Sequence, residues 1–114
     1  MSKSTDMSNM LKQRPWLGQY PEGVPADIDE TQYESLVELL EESFKKNARS
    51  TAYSFMGKDT TFAQTDSLSV AFGAYLQGLG LEKGDRVALM MPNMPQYPIA
   101  VAAILRAGLV VVNV

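Results

Sequence analysis

Carboxylates are the residues of this chain with a spacing that could do chemistry: Asp27, Asp29 and Glu30 form one cluster, Glu38, Glu41 and Glu42 another. Such groups hold divalent cations or move protons when a third ligand or a base converges on them. Nothing of that kind is available, because the chain has no His and no Cys. The commonest general base, the thiolate nucleophile and disulfides are therefore excluded. The Ser and Thr hydroxyls likewise lack a base to activate them. Gly78, Gly80 and Gly84 could suggest a phosphate loop, but their spacing is not GxGxxG and they precede a strand instead of linking strand to helix. A plain turn is expected there.

The residues that do follow an apolar strand are Pro92, Asn93, Met94 and Pro95, at the carboxyl edge where open α/β sheets place ligands. Asn93 reads first as a helix cap. Met90, Met91 and Met94 with Tyr97 could line an apolar channel, yet Met90 and Met91 lie inside an apolar run and are expected in the core. The glutamates of the second cluster read as the solvated face of a helix. No residue is assigned a catalytic, cofactor-binding or metal-binding role.

The elements that must position these groups follow from periodicity. Pro15, Pro21 and Pro25 with Gly18 and Gly23 make residues 1–29 an extended arm with turns. Its Trp16, Leu17 and Tyr20 need a cover, expected on the body of the same or a neighbouring subunit. A helix is expected over residues 35–48, with Ser35 and Glu38 as a capping box and Leu36, Leu39, Leu40 and Phe44 on one face. Glu41 and Glu42 should pair with Lys45 and Lys46 four residues on. Residues 52–56 and 60–62 read as a hairpin around Gly57, Lys58 and Asp59. Thr61 and Gln64 form a second capping box, opening a helix whose face is Leu68, Ala71, Phe72, Tyr75, Leu76 and Leu79, with Gly80 as its stop.

Residues 87–91 are continuously apolar, which predicts a central strand buried on both faces. Pro92 ends it, Asn93 caps the next helix to Ala107, Gly108 takes the left-handed stop, and residues 109–112 begin a second apolar strand. Together these make a βαβ unit of a parallel sheet with a right-handed crossover. An apolar strand on which the sequence stops leads us to expect a piece of a larger α/β protein.

The 114 residues are 46% hydrophobic and 20% charged, the balance of a globular chain. The formal net charge of −3 comes with acids gathered between Glu22 and Glu42, so no basic stripe serves nucleic acid. The first residues lack the apolar core of a secretory signal. Prolines and polar residues at 92–98 break the last apolar stretch well short of the ~20 residues a spanning helix requires.

TFAQTDSLSVAFGAYLQ followed by GLEKGDRVALMMPNMPQYPIAVAAILRAGLVVVNV resembles the opening of the N-terminal domain of adenylate-forming acyl-CoA synthetases, the AMP-binding superfamily. The match is in the order: hairpin, helix, Gly84-Asp85 turn, apolar strand, Pro92-Asn93, helix, Arg106-Ala107-Gly108, apolar strand. The arm RPWLGQYPEGVPADI resembles the bacterial long-chain fatty acid CoA ligases in particular. The resemblance implies an α/β fold that is the start of the large N-terminal domain, with residues 1–29 as its arm and 30–114 as the first part of the AMP-binding domain. It also implies an enzyme that uses ATP, Mg2+, coenzyme A and a long-chain fatty acid, in the cytoplasm or peripherally at the inner membrane, with the remainder of its own chain and a homodimer mate as partners. The family's phosphate loop, adenine site, ribose-binding Asp and catalytic Lys match nothing in this sequence, so the piece is expected to bind no cofactor and to be inactive alone. Two alternatives stand beside this one. A free-standing α/β interaction module would use residues 109–114 as an edge strand. A related medium-chain or aromatic acyl-CoA synthetase would share every feature after Thr60.

Overall fold

A computed structural model describes residues 3–114, in two compact units that meet in sequence between Gln32 and Tyr33. In the first unit, α1 spans Lys3–Lys12 and a 3-10 helix spans Pro15–Gln19. The expected extended arm is thus corrected: its first ten described residues are helical. No Pro or Gly occurs before Pro15, and Asp6 in the first turn with Lys12 in the last complements the helix dipole. Arg14 then takes a left-handed φ of 53°. Its guanidinium donates to Ala26 O at 2.7 Å and lies 2.9 Å from Asp27 Oδ1. The hydrogen bond and charge of Asp27 raise the Arg14 pKa.

The second unit, Tyr33–Val114, begins with α2 over Leu36–Lys46. Ser35 Oγ accepts from Glu38 N–H at 3.1 Å, but Glu38 Oε2 accepts from Glu34 N–H at 2.7 Å and not from Ser35, so the expected box is half formed. A two-stranded antiparallel sheet follows, β1 (Thr51–Phe55) against β2 (Lys58–Thr61). Lys58 and Asp59, expected in the turn, are strand residues. The turn is Met56-Gly57, with φ of 52° and 78°, the two positive values of a type I′ turn, which continues the twist of both strands. α3, Phe62–Gln77, opens with the complete Thr61/Gln64 capping box.

β3 (Arg86–Leu89) and β4 (Val110–Asn113) pair in parallel, Arg86 opposite Val110 and Leu89 opposite Asn113, with α4 (Gln96–Arg106) between them. Gly108 has the expected positive φ. The core gathers Leu76, Leu89, Ala100, Ala103, Ile104 and Leu109. α3 and α4 approach closely through small residues: a Cβ on Gly73 would lie 3.3 Å from Ala103 O.

Burial corrects several expectations. The face that α3 turns inward is Thr65, Ser69, Gly73 and Leu76, whereas Leu68, Tyr75 and Leu79 are exposed. Inward small residues let the helices meet, which larger apolar side chains would prevent. β3 and β4 are covered on one face only by the described residues: Val87, Leu89 and Val111 point toward the core and Ala88, Val110 and Val112 away from it. Met90 and Met91, expected in the core, lie past the end of β3 and are exposed.

Candidate functional site

The carboxyl edge of β3 and β4 is where this topology places a ligand. Leu89 and Asn113 end the two strands side by side, and Val114 N–H donates to Leu89 O at 3.0 Å. From there residues 90–95 lead into α4, whose Tyr97 hydroxyl hydrogen-bonds to Asn113 Oδ1 and so ties the start of the helix to the end of β4. An open groove of about 460 Å³ adjoins this edge, lined by residues 52–55 of β1 and by Asn93, Met94, Pro95, Tyr97 and Pro98.

Asn93 is corrected as a cap: Pro95 occupies the N-cap position of α4 with no side-chain cap bond. Pro95 fixes its own φ near the helical value, at −58°, so the helix starts without an acceptor side chain. That start is also a poor anion cradle. Tyr97 N–H is spent on Met94 O at 2.9 Å, and Pro98 has none, so two of the first three helical positions offer no donor. The groove is lined by apolar side chains together with Tyr53, Ser54, Asn93 and Tyr97, and by no charged residue.

The other candidates are each committed to local structure. Gly84 N–H donates to Gly108 O at 2.9 Å and Asp85 Oδ2 accepts from Glu82 N–H at 2.9 Å, which makes residues 82–85 the expected turn. Asp27 is paired with Arg14. Asp29 Oδ1 accepts from the Thr31 hydroxyl at 2.6 Å and from Thr31 N–H at 3.0 Å, and those bonds hold its carboxyl below the usual range. Glu41, expected to pair with Lys45, lies 3.4 Å from Arg106 Nε instead. Among the described residues no three His, Cys, Asp or Glu side chains converge to hold a metal ion.

Arg106 is the residue that sequence reasoning passed over. Only 18% of its side chain is exposed. Nη1 donates to Asp66 Oδ1 at 2.6 Å and Ser69 Oγ at 2.9 Å, and the guanidinium lies 5.8 Å from the Phe44 ring centre. One side chain thus joins α2, α3 and α4. Its signal was a single charge near the end of an otherwise apolar helix, beside the Ala107-Gly108 stop.

A family model described as AMP-binding enzyme matches residues 40–114. The chain belongs to the AMP-binding enzyme family, and its fold is the start of the N-terminal domain of an adenylate-forming enzyme. Within that family it is 56% identical over 100 residues to the long-chain-fatty-acid CoA ligase of Salmonella typhimurium, covering 87% of this chain and 18% of that protein. Against the long-chain-fatty-acid CoA ligase of Yersinia pestis it is 53% identical over 103 residues, covering 90% of this chain and 18% of the relative. The solved N-terminal subdomain of Klebsiella oxytoca NpsA, in complex with 3-hydroxyanthranilyl-AMSN, superposes with a TM-score of 0.69 at 26% identity, over 72% of this chain and 21% of that one. The chain thus spans less than a fifth of the length of the ligases it resembles. No described helix is long and apolar enough to cross a membrane.

Proposed function

We propose that this chain is the N-terminal part of a long-chain fatty acid CoA ligase. The observation that supports this reading is the 56% identity over 100 residues to a ligase of that kind. In the full-length protein a fatty carboxylate would attack the α-phosphorus of magnesium ATP, releasing pyrophosphate and forming an acyl-adenylate. The thiol of coenzyme A would then displace AMP to give acyl-CoA. That chemistry needs positioning and charge stabilisation on phosphates, and the described residues supply neither phosphate loop nor base. Their part is architectural: a βαβ unit and the hairpin flanking its carboxyl edge. Residues 1–29 act as the arm and residues 30–114 as the first part of the AMP-binding domain. The full-length protein works in the cytoplasm, with the inner membrane as its peripheral contact and a homodimer as its assembly.

The test compares this chain with the full-length protein on ATP, magnesium, palmitate and coenzyme A. Pyrophosphate and palmitoyl-CoA are expected from the full-length protein and none from the chain alone. Pyrophosphate release by the chain alone would show that catalytic groups were overlooked. A full-length protein that adenylates medium-chain or aromatic acids in preference to palmitate would replace the long-chain assignment.

A further inference from the structure

We draw no further inference here: the strongest candidate, the outward apolar patch of Leu68 and Tyr75 on α3 with Leu79 just past its end, carries nothing because the chain spans less than a fifth of the length of its relatives and nothing among the described residues shows what covers it.

Discussion

Arg106 Nη1 lies 2.6 Å from Asp66 Oδ1, closing a contact between residues 40 apart in sequence. The pair is half sheltered, since Asp66 is 40% exposed, so its charge attraction is partly screened. Ser69, which is fully buried, has its hydroxyl against the same guanidinium. Arg106→Ala would leave Asp66 and Ser69 without this donor and remove the guanidinium from the Phe44 ring. A loss of about 1–3 kcal/mol is expected in urea unfolding. Arg106→Lys should recover only part of it, because an ammonium cannot reach Asp66, Ser69 and Glu41 together. A full recovery would show that charge alone matters.

The helix pair beneath that contact depends on Gly73. A Cβ there would meet Ala103 O at 3.3 Å, tight but at the limit of what a small shift accommodates. Gly73→Ala should therefore be close to neutral, helix propensity of about 1 kcal/mol offsetting the crowding. Gly73→Leu has no room. It should separate α3 from α4 and destabilise by about 1–3 kcal/mol or more, read as a lower thermal midpoint with loss of the packed core signals in proton NMR.

What was legible in the sequence was local. The Thr61/Gln64 box, the Gly108 stop and the strand-helix-strand order need only neighbours within a few residues, and each stands as expected. What was not legible depends on distant partners. Glu41 pairs with Arg106 and not with Lys45, because α4 brings a guanidinium to the helix face where a flexible ammonium was the local option. The inward face of α3 is Thr65, Ser69 and Gly73 because α4 comes close enough to exclude larger side chains, a fact that the hydrophobic pattern of one helix does not carry. Asn93 failed as a cap for a local reason, since Pro95 already sets the first helical φ.

Met56 holds a φ of 52° in the type I′ turn and is 91% exposed. A left-handed conformation costs an L residue about 1–2 kcal/mol unless it is Gly, Asn or Asp. Nothing packs on the side chain to compensate. Met56→Asn should raise stability by about 0.5–1 kcal/mol, measured as a higher urea midpoint at unchanged slope.

Asp29 gives the chain an acid-sensitive contact. Its carboxyl is held below the usual range first by the Thr31 hydroxyl and then by the Thr31 N–H, both of which prefer the charged form. Because the folded value is the lower one, the turn gains stability above the ordinary carboxylate pKa and loses it as pH falls through the depressed folded value. Carbon-detected NMR titration of the Asp29 carboxyl should show the depressed midpoint directly. Thr31→Val removes the hydroxyl and keeps the N–H, so the midpoint should move part of the way back up toward the ordinary carboxylate value. An unchanged midpoint in Thr31→Val would assign the whole effect to the backbone N–H.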